Sequence, residues 1–193
     1  RNNLGVYEGD AADEANRKGV LDALEADIAQ KGGTVAVLMH SLAFGTLKPY
    51  IADDAISKAN IDMTLDVMGH SLVYWAQDLV KRKLMGEGGR VFSMTSSGST
   101  RVIPSYGAVS AAKCALESHT RQLAVELAPR GIAVNALRGG VTRTPASEKI
   151  PGSDRLFEQA AQRNPHRRLT TTQDVARALV ALCHPGTDWV TGN

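Results

Sequence analysis

In the stretch SYGAVSAAK, residues 105–113, a tyrosine and a lysine stand seven positions apart, Tyr106 and Lys113. Seven helical residues make almost two turns, so both side chains share one helix face with an axial gap of roughly 10 Å. A lysine side chain leans toward the amino end of its helix and covers much of that gap. A bound ligand such as a ribose would bridge the rest. A phenol titrates near ~10 when unperturbed, and a neighbouring ammonium or helix amino terminus favours its anion. Such a pair suits proton donation to, or hydrogen bonding of, a developing oxyanion. An aromatic residue at a helix start and a solvated lysine would explain the same spacing without chemistry.

The pair needs a scaffold, and the sequence supplies one. Helix-spaced apolar residues Val20, Leu21, Leu24 and Ile28 predict a first helix that starts at Asp10 or Asp13 and ends at Gly32-Gly33. LGVYEG (4–9), TVAVLM (34–39), RVFSM (90–94) and IAVNAL (132–137) read as strands. The continuous apolar run TVAVLM predicts a strand covered on both faces, and RVFSM another buried strand. Long helices are predicted over 58–84 and 105–128, a short one around 153–163, and a last one opened by a capping box of Thr171 and Asp174. The second long helix carries a small-residue stripe (Ala108, Ala111, Ala112, Ala115) and a larger apolar set (Val109, Leu116, Leu123, Leu127).

Alternating strands and helices predict an α/β fold, a doubly wound, Rossmann-like parallel sheet with helices on both faces. Its site would lie at the carboxyl ends of the strands. Four polar or glycine-rich loops fall there: GDA (9–11), HSLAFG (40–45), SMTSSG (93–98) and LRGGVTRT (137–144). No glycine-rich phosphate loop follows a strand, and GEGGR (86–90) precedes one, so it reads as a helix stop. The expected fold therefore lacks the first βαβ unit and the closing strand. Residues 1–193 are expected to form a single dinucleotide-binding domain, incompletely recorded at both ends.

Bulk properties narrow the classes. With 193 residues, the chain is long enough for one sizeable core. A net charge of +2 points to neither nucleic acid nor a membrane surface as partner. No apolar run reaches membrane-spanning length. Cys114 and Cys183 lie far apart in apolar helical patterns and read as buried thiols in a reducing, cytoplasmic setting. His70, His119, His166 and His184 show no metal-ligand spacing, and no metal is expected. His40 reads as a capping or packing residue at a strand end, and Trp75 and Trp189 as packing residues. RNPHRR (163–168) reads as a solvated loop, with docking of an acidic carrier protein or a coenzyme A phosphate as the sharper alternative.

The stretch from SMTSSG through LRGGVTRT resembles the short-chain dehydrogenase/reductase superfamily. The Tyr-x6-Lys spacing, the HSLAF loop and the R-x-I-P-x-Y lead-in are similar to its divergent branch of enoyl-acyl-carrier-protein reductases. The resemblance implies NADH or NADPH as cofactor, an acyl-carrier-protein or coenzyme A thioester as substrate, a role in fatty acid biosynthesis and a homotetramer. Tyr106 matches the catalytic tyrosine, and Lys113 the lysine that holds the nicotinamide ribose. Asp10 and Ala11 match the element at the adenine. Ser41 and Leu42 match residues along the adenosine ribose and cofactor path. Gly140, Thr142 and Thr144 match the segment supporting the carboxamide and pyrophosphate. Residues 145–160 match a substrate loop, with Ile150, Leu156 and Phe157 as acyl contacts.

Departures stand beside these matches. Ser96 occupies the position, ten before Tyr106, where many members carry a second tyrosine. Thr142 replaces a usual aliphatic residue, and RGG a usual SAG. Two rival readings follow. One is a carbonyl or alcohol oxidoreductase assisted by Ser93 or Ser96, against which Ser110 stands where the shorter-spaced lysine would be. The other is a non-catalytic scaffold on the same fold.

Overall fold

The computed structural model describes residues 9–148, 150 and 152–193. The strand expected over 4–9 lies outside them except for Gly9.

Three strands, β1 (Val37–His40), β2 (Arg90–Met94) and β3 (Ala133–Leu137), form a parallel sheet in the order β1-β2-β3. The register aligns Leu38 with Val91 and Val91 with Val134 on one face. That face joins the main core with Leu21, Leu72, Ala76, Leu116, Leu123 and Leu127. These residues come from α1 (Glu14–Lys31), α3 (Ser71–Lys81) and α4 (Gly107–Leu127). Helix α2 (Lys58–Leu65) precedes α3, while α5 (Pro145–Glu148), α6 (Ser153–Arg163) and α7 (Thr172–Leu182) follow β3. The fold is the expected Rossmann-like α/β arrangement of a parallel sheet and helices. Beyond α7, the last residues run along β3: the Gly192 N–H donates to the Val134 carbonyl at 2.8 Å, and the Asn135 side-chain amide to the Val190 carbonyl at 2.8 Å.

Local chemistry sets the element ends. Asp13 caps α1 by accepting from the Asn16 N–H, and Thr171 with Asp174 forms the expected capping box of α7. The helix expected over 58–84 is interrupted. Residues Asp66–His70 form a π-helical turn, and the helix stops at Lys81, with Lys83 in the left-handed region at φ 59°. Gly69 explains the placement of the turn. A β-carbon there would stand 3.1 Å from the Ala112 carbonyl oxygen, so the turn lies directly on the small stripe of α4. Among the described residues β1 pairs with β2 alone, and Val37, Leu38 and Met39 are partly buried.

The thiol reading fails for Cys114. It is exposed on α4, and its Sγ donates to the Ser99 carbonyl at 3.2 Å. Cys183 is partly buried. His70 and His119 meet across the π-helical turn and α4, with Nδ1 to Nε2 at 2.9 Å. Among the described residues no group of three or more His, Cys, Asp or Glu could hold a metal ion. Nor is any helix there long and apolar enough to cross a membrane.

Candidate active site

One stripe of α4 organises the site. Tyr106 caps the helix, and Ser110, Lys113 and Glu117 follow at helical spacing on the same face. All four engage the segment that leaves β2. The Tyr106 hydroxyl lies 3.4 Å from the Ser96 hydroxyl oxygen. The Ser110 hydroxyl donates to the Gly98 carbonyl at 2.6 Å. The Lys113 ammonium donates to the Met94 carbonyl at 2.7 Å and to the Leu42 carbonyl at 3.2 Å. One carboxylate oxygen of Glu117 accepts from the Thr95 hydroxyl at 2.5 Å and the Ser99 hydroxyl at 2.8 Å.

The turn held by this stripe is itself compact. Ser96 caps a single 3-10 turn, Ser97–Ser99, by accepting from the Gly98 N–H at 3.1 Å. A β-carbon on Gly98 would stand 2.8 Å from Cδ1 of Tyr106 and nearer still to Cε1. Glycine here lets one edge of the phenol ring come close to the turn. Ser105 holds a left-handed φ of 59°, which turns the chain into α4 and presents Tyr106 at its start.

Lys113 is 5% exposed, and its position ties the carboxyl end of β2 to the loop after β1. Burial brings its pKa down from 10.5 to about 8, because an ammonium loses hydration there that two carbonyls only partly replace. An ammonium has three N–H donors, so one remains beyond the two carbonyl contacts.

His40, at the end of β1, is buried with Nε2 2.7 Å from the Ser71 hydroxyl. That hydroxyl donates its own proton to the Val67 carbonyl at 2.7 Å, so Nε2–H of His40 is the donor. Nδ1 then carries no proton, and it is buried without a partner among the described residues. Burial, with the Lys113 ammonium adding to it, pushes the His40 pKa down from 6.5 to about 4. The imidazole is thus a neutral structural group, as the sequence suggested.

Tyr106 lines a cleft of about 630 Å³ with Tyr50, Val102, Ile103, Pro104 and Ser110. Lys113 is not on its surface. The ammonium reaches the phenol's surroundings from beneath, through the backbone of Met94 and the turn carrying Ser96. Ser93, by contrast, is fully buried, and its hydroxyl pairs with that of Thr120 at 2.9 Å.

The other expected site residues fall into separate groups. Asp10 accepts the Ala12 N–H at 2.8 Å, and the Ala11 carbonyl accepts the Trp75 indole N–H at 2.9 Å, which fixes this segment against α3. Ser41 is exposed, while Leu42 contributes its carbonyl to Lys113. Gly140 lies against Thr170, and Thr142 forms an isolated parallel bridge with the same residue. The Thr142 hydroxyl donates to the Gly140 carbonyl at 3.0 Å, and the Thr144 N–H donates to the Ser147 hydroxyl at 2.8 Å. Ile150, Leu156 and Phe157 do not line the Tyr106 cleft. Phe157 is buried with the Arg143 guanidinium 4.3 Å from its ring centre, and Leu156 is 37% exposed.

Sequence reading missed Ser110, Glu117 and Tyr50. The helical interval from Tyr106 pointed to the first two. Nothing in the sequence pointed to Tyr50, which arrives from a loop.

Comparison with known proteins gives this geometry its context. The chain is 33% identical over 172 residues to the enoyl-[acyl-carrier-protein] reductase [NADH] FabI of Rickettsia bellii, an alignment covering 88% of this chain and 64% of that protein. It is 31% identical to the 1-cyclohexenylcarbonyl-CoA reductase of Streptomyces collinus, covering 94% of this chain and 63% of that one. The chain thus spans just under two thirds of the length of these relatives. The crystal structure of enoyl-[acyl-carrier-protein] reductase (NADH) from Aquifex aeolicus superposes with a TM-score of 0.83 at 28% identity, over 95% of this chain and 70% of that one. The family model described as Enoyl-(Acyl carrier protein) reductase matches residues 2–193, so the chain belongs to that family of short-chain dehydrogenases/reductases.

Proposed function

We propose that this protein reduces the 2,3 double bond of a trans-2-enoyl thioester, carried by acyl-carrier protein or coenzyme A, with a reduced nicotinamide dinucleotide. The observation that carries the reading is the α4 stripe. It sets a phenol at the edge of a cleft and a buried ammonium under the same turn.

The residues present suit the nicotinamide half of the cofactor. The remaining Lys113 donor matches a ribose hydroxyl, and the Leu42 carbonyl is a polar acceptor beside it. Ser41, Gly140, Thr142 and Thr144 supply further polar and backbone groups along the strand ends, with Asp10 and Ala11 toward the adenine. When bound, the cofactor supplies hydride. NADH is the proposed reductant, after the names of the relatives.

The chain's own part is electrostatic. Conjugate addition at the β-carbon puts negative charge on the thioester oxygen, and a proton delivered to the α-carbon from Tyr106, directly or through water, completes the saturated thioester. Tyr106 donates its hydroxyl hydrogen bond to that oxygen, and the positive Lys113 beneath the turn stabilises the same charge. Ser96 lies within reach of the Tyr106 oxygen and, with the phenol's one proton given to the thioester, donates to that oxygen and holds the phenol in orientation. Ser110 and Glu117 keep the turn, and hence Ser96, in place.

The Tyr106–Ser96 contact also favours a second reading, carbonyl reduction on the same fold. Ser93 does not assist that chemistry, because its hydroxyl is spent on Thr120. Reduced-cofactor consumption with crotonyl and acetoacetyl thioesters separates the two. The enoyl reading expects faster turnover of the crotonyl thioester; faster ketone reduction rejects it. The proposal extends to one dinucleotide-binding domain over 1–193, a homotetramer and a cytoplasmic setting. The two free thiols fit that setting, and light scattering tests the assembly.

A further inference from the structure

The loop between β1 and α2 crosses the amino end of α4. It is pinned at several points: the Thr46 N–H donates to the Thr64 hydroxyl at 3.1 Å, the Ile56 N–H donates to the Pro49 carbonyl at 3.0 Å, and Lys48 pairs with Asp54 at 3.5 Å. Tyr50 lies between these anchors. Its ring rests on Gly107, the first residue of α4 and the immediate neighbour of Tyr106. A β-carbon on Gly107 would stand 2.5 Å from Cζ and 2.8 Å from the hydroxyl oxygen of Tyr50. The φ of Gly107 is not left-handed, so its backbone does not demand glycine. The close approach of Tyr50 does.

Tyr50 and Tyr106 line the same cleft, whose other walls include Pro49, Val102, Ile103 and Pro104. Tyr50 is 52% exposed. An aromatic ring held at both flanks and turned into an apolar cleft beside the reacting phenol is placed to select what enters.

We propose that Tyr50 is a specificity-determining residue: its ring walls the cleft at Tyr106 and limits the bulk of the acyl group accepted. This rests on the enoyl-thioester reading. Its contribution is steric, since apolar pockets discriminate acyl groups through the space they leave, with one methylene worth about 10-fold or more.

The test uses the whole chain with crotonyl-CoA and trans-2-decenoyl-CoA, and reads the ratio of kcat/KM for the two. Tyr50→Ala is expected to raise the decenoyl-to-crotonyl ratio by about 10-fold or more, while Tyr50→Phe stays within about 2-fold of the unsubstituted protein. Gly107→Ala favours the helix by propensity, so a purely structural role predicts a neutral or stabilising change. The proposal predicts instead that Gly107→Ala shifts the ratio when Tyr50 is present and leaves it unchanged in the Tyr50→Ala background. Melting curves identify any variant that fails to fold, and Tyr50→Leu, with a rise in the same direction expected and an unchanged ratio overturning the proposal, carries the test if Ala does not fold. A Tyr50→Phe ratio that moves as far as that of Tyr50→Ala overturns the steric account. So does an unchanged ratio in active Tyr50→Ala, or additive behaviour of the Gly107 pair. If the unsubstituted protein reduces neither thioester, the enoyl reading itself falls, and this inference with it.

Discussion

Replacing Lys113 by methionine separates what the ammonium costs the fold from what it gives the site. The charged side chain is 5% exposed, and burial holds its pKa at about 8 against 10.5. A fall of that size corresponds to about 3 kcal/mol against the charged form. Methionine removes this cost and fills a similar volume, but it abandons the carbonyls of Leu42 and Met94. An unsatisfied buried acceptor costs about 1–3 kcal/mol. The two effects nearly cancel near neutral pH, so Lys113→Met is expected to fold with a similar melting temperature. Alkaline pH breaks the balance. Between about 8 and 10.5 the unfolded chain keeps a proton that the folded protein has released, so the stability of the lysine protein rises with pH. The gain approaches about 3 kcal/mol, or roughly 6–12 °C for a chain of this size. Melting curves of both proteins between about pH 7 and pH 10 should therefore diverge, the unsubstituted protein gaining on the variant. A constant difference across that range would refute the buried-ammonium account. Binding of reduced dinucleotide to Lys113→Met as tight as to the unsubstituted protein would refute the ribose assignment.

Three further outcomes are expected. Tyr106→Phe should lower kcat on the crotonyl thioester by about 10²–10³ with cofactor affinity unchanged, read by steady-state kinetics and titration of reduced cofactor. Glu117→Ala strands the Thr95 and Ser99 hydroxyls and frees the turn that carries Ser96. It should cost about 1–3 kcal/mol in urea unfolding, and it should lower kcat more than it raises KM, whereas Glu117→Gln retains an acceptor and recovers part of both. His40 stays neutral in the fold down to about 4, while in the unfolded chain it takes a proton near 6.5. Stability is therefore lost as pH falls between those values, by up to about 3 kcal/mol, and His40→Asn should melt with a flatter acid limb.

Local patterns carried most of the fold. RVFSM and IAVNAL are short, mostly apolar stretches of strand length, and β2 and β3 coincide with them almost residue for residue. The capping box at Thr171 and the helix at 153–163 follow from equally local chemistry. The interruption at Asp66–His70 was hidden, because an unbroken apolar periodicity does not register a glycine that another helix presses upon. In the site, Tyr106 and Lys113 were legible as a helical interval. The same interval extends to Ser110 and Glu117, but their role appears only once the turn after β2 folds back on α4. Tyr50 lies 56 positions before Tyr106, and no periodicity connects them. Cys114 misled because its neighbours are apolar while its own position on α4 faces outward.

The most direct measurement of the central claim follows the label. Crotonyl thioester is incubated with the protein and reduced cofactor deuterated at the transferring position, and the acyl product is examined by NMR and mass spectrometry. A phenol placed to hold the thioester oxygen during conjugate addition predicts a saturated butyryl product with deuterium at the β-carbon, formed at a rate that collapses in Tyr106→Phe. Label at a carbinol carbon, no transfer at all, or transfer that is indifferent to Tyr106 would contradict it.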